Sequence, residues 1–152
     1  MSDGNWSDYV ADAGTDPAAL SEASTSMGDS IEAVQAGLES IDPSLLPDAA
    51  ADDVLAAGSN LDEAASWQAW NNGDLRTVAS WQDDAADHVA AANEWAAWGN
   101  ADAAQEELGS AQTSLDIAGE TAGAASTDIS IAADYADSAS DNLSDAGSDS
   151  SV

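Results

Sequence analysis

Residues 101–146 decide the fold: ADAAQEELGSAQTSLDIAGETAGAASTDISIAADYADSASDNLSDA. Ala101, Ala104, Leu108, Ala111, Leu115, Ala118, Ala122, Ala125, Ile129, Ala132, Ala136, Ala139, Leu143 and Ala146 recur in alternating three- and four-residue steps. That spacing returns to one helix face every seven residues, so the segment reads as a long helix with a heptad seam. An alanine-rich chain meets such a template partly by chance. The weight therefore rests on Leu108, Leu115, Ile129 and Leu143, which share one heptad phase. Small seam residues let two helix axes approach toward the lower end of the usual ~8–10 Å. Gly119 and Gly123 are candidate breaks, and Ser126-Thr127-Asp128 a candidate new cap.

Upstream, residues 1–16 read as a polar arm with one apolar cluster, Trp6, Tyr9 and Val10. Asp16-Pro17 opens a helix, Asp as cap and Pro at the first helical position. Leu20, Met27, Ile31, Val34, Leu38 and Ile41 form its apolar face, and Asp42-Pro43 stops it. Pro47-Asp48 opens another helix, with Ala51, Val54, Leu55, Gly58, Leu61 and Ala65 as its inward face. Asn71-Asn72-Gly73 reads as a turn and Asp74 as the cap of a helix running to about Asn100. The expected fold is all-α, an antiparallel bundle of four or five helices ending in the long Ala-rich heptad helix. Its domain plan is an arm (1–16), a helical bundle (17–146) and an acidic tail (147–152).

Acidic residues number 30 against a single arginine and no lysine, a formal charge of −29. Such a chain repels itself at ordinary ionic strength. In molar salt the Debye length shrinks to roughly 3 Å, and neighbouring carboxylates hardly sense each other. In this composition the chain resembles proteins of haloarchaea and their viruses. The resemblance implies a high-salt setting and no particular activity. Sparse bulky aliphatics with high charge also mark disordered chains, but six tryptophans and strong helical periodicity oppose that reading.

Cysteine is absent and histidine single, which excludes disulfides and a structural zinc site. The near absence of basic side chains argues against direct nucleic-acid binding. No segment reads as a membrane span or as a secretory signal.

Trp67-Gln68-Ala69-Trp70-Asn71-Asn72-Gly73-Asp74 recurs as Trp95-Ala96-Ala97-Trp98-Gly99-Asn100-Ala101-Asp102, 28 residues on, so two helix ends are expected to be built alike. Trp81, His88 and Trp95 fall seven apart on one stripe. Trp81 and Trp95 are candidates for an interface, since tryptophan is enriched at binding hot spots. Trp70 and Trp98 are expected in the core, because the chain has no phenylalanine and needs bulk. His88 reads as a packed core-edge residue. Arg76, the one basic side chain, is expected to pair with an acid or stack on an indole, at an interface.

Asp83, Asp84, Asp87 and His88 cluster, yet a di-iron bundle needs Glu-x-x-His on two helices, so no metal or cofactor is expected. The expectation is a non-enzymatic structural component of a larger homo-oligomeric assembly, a virion part of a haloarchaeal virus. Its interface would use Trp6, Tyr9, Arg76, Trp81, Trp95, Ala111, Ala118 and Ala125. Two other readings stand beside it: a partner-binding adaptor of a halophilic cell, and an enzyme using carboxylates and a divalent metal. Small secreted helical hairpins carrying Trp-x-Gly at their turn are similar in kind to the adaptor, but neither Trp70-Asn71-Asn72-Gly73 nor Trp98-Gly99-Asn100 has that spacing.

Overall fold

The computed structural model describes residues 6–150, with side chains to 147. Four α-helices and one short 3-10 turn make up the described chain: α1 (Trp6–Ala13), α2 (Pro17–Glu39), the turn Pro43–Leu45, α3 (Asp48–Ala97) and α4 (Ala101–Ser150). No strand occurs among the described residues. α2 begins as its sequence indicates: the Asp16 carboxylate accepts from the Ala18 N–H at 3.2 Å, and Pro17 occupies the first turn.

The dominant feature is an antiparallel hairpin of α3 and α4, each of 50 residues and ~75 Å long at 1.5 Å per residue. Ala50, Ala57, Ala64, Asn71, Val78, Ala85 and Ala92 are buried on α3, each seven residues after the last. Ala104, Ala111, Ala118, Ala125, Ala132, Ala139 and Ala146 answer them on α4 at the same spacing. The register is fixed mid-hairpin, where the Asn71 amide donates to the Ala125 carbonyl at 2.8 Å. Ala50 packs with Ala146 and Val78 with Ala118, in the same register.

The turn expected at Asn71–Gly73 is therefore absent, and the two helices expected on either side of it are one. A helical glycine costs about 1 kcal/mol relative to alanine, less than a seam broken at its middle. Of the expected inward face Val54 and Leu61 are buried, but the seam beside them is turned by one position: Ala50, Ala57 and Ala64 are buried in place of Ala51, Gly58 and Ala65, and Leu55 is exposed. Likewise Gly119 and Gly123 do not interrupt α4, and Ser126-Thr127-Asp128 caps nothing.

The real hairpin turn is Gly99-Asn100. Gly99 adopts φ +80°. The Asn100 N–H reaches the Trp95 carbonyl at 2.9 Å and the Gly99 N–H the Ala96 carbonyl at 3.0 Å, so two orphan carbonyls of α3 are satisfied. The Asn100 side chain then accepts from the Ala103 N–H at 3.1 Å and caps α4. Gly99→Ala should destabilise the hairpin by ~1–2 kcal/mol, the cost of a left-handed L-residue; thermal unfolding in molar salt measures it.

α1 and α2 cover one face of the hairpin over only part of its length. Leu20, Met27 and Ile31 of α2 are buried with Leu61 of α3 and Ile129 of α4. The segment expected to be a polar arm is a helix: Trp6 and Val10 are buried, and the Trp6 and Ser7 N–H groups donate to the Asp137 carboxylate at 2.6 and 3.0 Å. An acid supplied by α4 at the helix N-terminus offsets the positive end of α1. Residues 1–5 of that arm and 151–152 of the expected acidic tail lie outside the described residues, and α4 itself runs on to Ser150.

Candidate functional site: the exposed arm of the hairpin

The α1–α2 turn stops at the level of Val78, where Thr15 and Pro17 border a cavity of ~200 Å³ with Gln82, Leu115 and Gly119. Beyond it α3 and α4 run on alone to the turn for about 20 residues each, an arm of ~30 Å. Its seam is closed by Ala85, Ala92, Ala104, Ala111 and Ser114, all buried.

The two faces of the arm differ in chemistry. On one, polar side chains bridge the helices. His88 Nδ1 lies 2.6 Å from Glu107 Oε2 and its Nε2 3.4 Å from Asp84 Oδ2. The Ser114 hydroxyl donates to the same Asp84 carboxylate at 2.6 Å. Trp81 and Trp95 sit one heptad either side of His88, the first half-buried, the second exposed.

The hydrogen bond to Glu107 has the largest effect on His88 and raises its pKa above the ordinary 6.5; desolvation opposes it, and the charges of Asp84, Glu107 and Asp87 each add a smaller upward push. Its pairing with the carboxylates thus contributes stability that is complete below pH ~6.5 and is lost as pH rises through the higher folded value. Proton NMR can follow the only histidine of the chain. A titration midpoint above 6.5 is expected, and one at or below 6.5 would refute the clasp.

The other face is lined by uncharged side chains, with Asp116 at its edge accepting from the Gln112 amide at 2.9 Å. On α3, Ala79, Gln82, Ala86, Val89, Asn93 and Ala96 follow each other by three and four residues, and all are exposed. On α4, Ala101, Gln105, Leu108, Gln112, Leu115 and Gly119 do the same. These twelve positions hold no Asp, Glu, Arg or His, in a chain with 30 acids. Leu108 and Leu115 are 50% and 46% exposed, yet Ile129, in the same heptad phase, is fully buried beneath the α1–α2 layer. The corresponding phase of α3 runs from buried Val54 and Leu61 to Val89, 41% exposed. One uncharged groove thus spans the hairpin, roofed along one half and open along the other.

The residues expected at an interface scatter. Ala111, Ala118 and Ala125 are buried against α3 of the same chain, so the alanine ridge is occupied from within. Trp6 is buried and Tyr9 half-buried at α1, their rings edge-to-face at 5.5 Å. Arg76 is exposed in mid-helix rather than in a first turn, and no carboxylate among the described residues pairs with it. The expectation that Trp70 and Trp98 fill the core is overturned: they are 58% and 85% exposed. Trp70 packs edge-to-face on Trp67 at 4.6 Å, and Trp98 stands at the tip because Gly99 turns the chain there. The core finds its bulk instead in Leu20, Met27, Ile31, Leu61 and Ile129, with Trp6 and a few valines beside them and alanine along the α3–α4 seam.

Two polar features mark the middle of the hairpin. Asn71 is fully buried, and its Oδ1 has no hydrogen-bond partner among the described residues. The Asp128 carboxyl is pushed up to about 6 by burial, then by its hydrogen bond to Asp74 and the charge of that acid. Asp128 therefore favours the fold below pH ~4, and this contribution is lost as pH rises through about 6. No group of three or more His, Asp or Glu side chains among the described residues is arranged to hold a metal ion. No helix of the described chain is long and apolar enough to cross a membrane. No protein-family model, curated protein or solved structure matches this chain.

Proposed function

We propose that this protein is a non-enzymatic structural component of a larger homo-oligomeric assembly that works at high salt. We place it in the virion of a haloarchaeal virus, as a head–tail connector, tail or capsid accessory part; elsewhere its setting would be the cytoplasm of a halophilic archaeon. Its partners on this reading are further copies of itself and other assembly proteins, without direct contact to nucleic acid and without membrane insertion. The observation that carries it is the arm: some 20 residues of each long helix project past the bundle with Val89, Leu108 and Leu115 exposed. Half a hairpin left without a covering layer suits a part completed by its neighbours. The virion setting rests on the acidic composition and small size alone.

A second reading, a partner-binding adaptor of a halophilic cell, is favoured by Trp95 and Trp98 at the tip, which border an open cavity of ~310 Å³ with Glu94. Light scattering in salt of about 1 M or more, where the Debye length is roughly 3 Å or less, separates the two. Assembly predicts a mass that is a multiple of 15.2 kDa. A single-chain mass at every protein concentration would overturn it and favour the adaptor.

A further inference from the structure

We propose that two copies of this chain dock through the uncharged faces of their arms, running antiparallel, so that the two hairpins close a four-helix bundle around Val89 and Leu108. The inference rests on the assembly reading above and names its contact.

Three observations carry it. The first is charge. A basic partner would dock on carboxylates, and these twelve positions hold none; Asp116 reaches them only from the edge, where it accepts from the Gln112 amide at 2.9 Å. A second copy of the same face meets it with no acid at its centre, beside Val89 and Leu108, which lowers the main obstacle to self-association of a chain at −29. The second is continuity: in the roofed half, α2 fills the groove over Leu61 and Ile129, so the groove already accepts helices as its cover. The three- and four-residue spacing runs unbroken into the open half.

The third is fit. With arms parallel, the α1–α2 layers of both copies would meet on the same side and hold the arms apart. Antiparallel arms avoid this, because each lies in line with the other's α1–α2 layer and its tip abuts the Thr15–Pro17 turn. The open arm runs from the level of Val78 to the turn at Gly99, so its midpoint falls beside Val89 and Leu108. The two-fold axis then passes the largest apolar side chains of the central face. Two helices ~10 Å wide over ~30 Å give roughly 600 Å² a side, ~1,200 Å² in all, at the lower limit for a specific contact. The dimer is accordingly expected to be weak unless salt is high.

The chain has no cysteine, so Leu108→Cys introduces a single thiol next to the proposed axis. Ser110→Cys, two residues on and turned by about 200°, places one on the far side of α4. Both positions are exposed, so the fold tolerates the change. In molar salt with a short bis-maleimide, Leu108→Cys should give predominantly linked dimer and Ser110→Cys little. Leu108→Glu, which sets two carboxylates at the axis, should weaken association at least tenfold without loss of helicity. A mass above one chain with no linkage through position 108, whether or not position 110 links, overturns this face and leaves the assembly reading intact. A single-chain mass with no linkage at either position overturns both.

Discussion

Dilution from molar salt to ~0.1 M is expected to unfold this protein, with the helical circular dichroism signal falling to that of a coil. The charge is −29 with its one arginine already counted. At ~0.1 M the Debye length is ~10 Å, so carboxylates on successive turns and on neighbouring helices repel; at 1 M it is roughly 3 Å. Little burial opposes that repulsion. The seam of α3 and α4 is almost wholly alanine, and the larger buried side chains, Leu20, Met27 and Ile129, all lie in the half roofed by α1 and α2. The arm should therefore melt first, followed by the bundle, as salt is withdrawn. An undiminished helical signal in ~0.1 M salt would show instead that the alanine seam outweighs the charge.

Overpacking the seam is the second large effect. Ala125 is fully buried where the Asn71 amide bonds its carbonyl. Ala125→Leu adds three carbons inside the packed seam, pushes α3 away and strips the Asn71 amide of its acceptor. A loss of about 1–3 kcal/mol is expected, several degrees in Tm for a chain of this size. Ala124, its neighbour, is exposed. Ala124→Leu should stay within about 0.5 kcal/mol of the parent, as surface changes do. Equal effects at the two positions would place the seam elsewhere.

Helix identity and the seam of α4 are legible from residue spacing, because burial on a straight helix imposes its own period. So is the start of α2, where Asp16 and Pro17 act within one turn. The two Trp-Trp-Gly stretches are not separable on local chemistry. Both offer Asn and Gly after paired tryptophans, yet Gly73 stays helical and Gly99 turns at φ +80°. What distinguishes them is non-local: the sevenfold spacing from Ala50 to Ala92, carried mainly by alanine rather than by bulk, passes straight through Asn71. The helicity of α1 is hidden for a similar reason, since its cap, Asp137, comes from the far end of the chain. The uncharged face of the arm can be found by asking where acids are missing. A search for catalytic or ligating residues passes over it, because glutamine and alanine announce no chemistry.

Assembly through the arm depends on one shape, a hairpin of which half is a bundle and half a bare arm. Small-angle X-ray scattering in molar salt tests that shape directly. A compact chain of 152 residues has a radius of gyration of about 15 Å. Helices of 50 residues, ~75 Å long, predict a value of about 20 Å or more for one chain, and more again for an antiparallel pair. A radius near 15 Å would mean that the long helices fold back on themselves, and no arm would remain to bind anything.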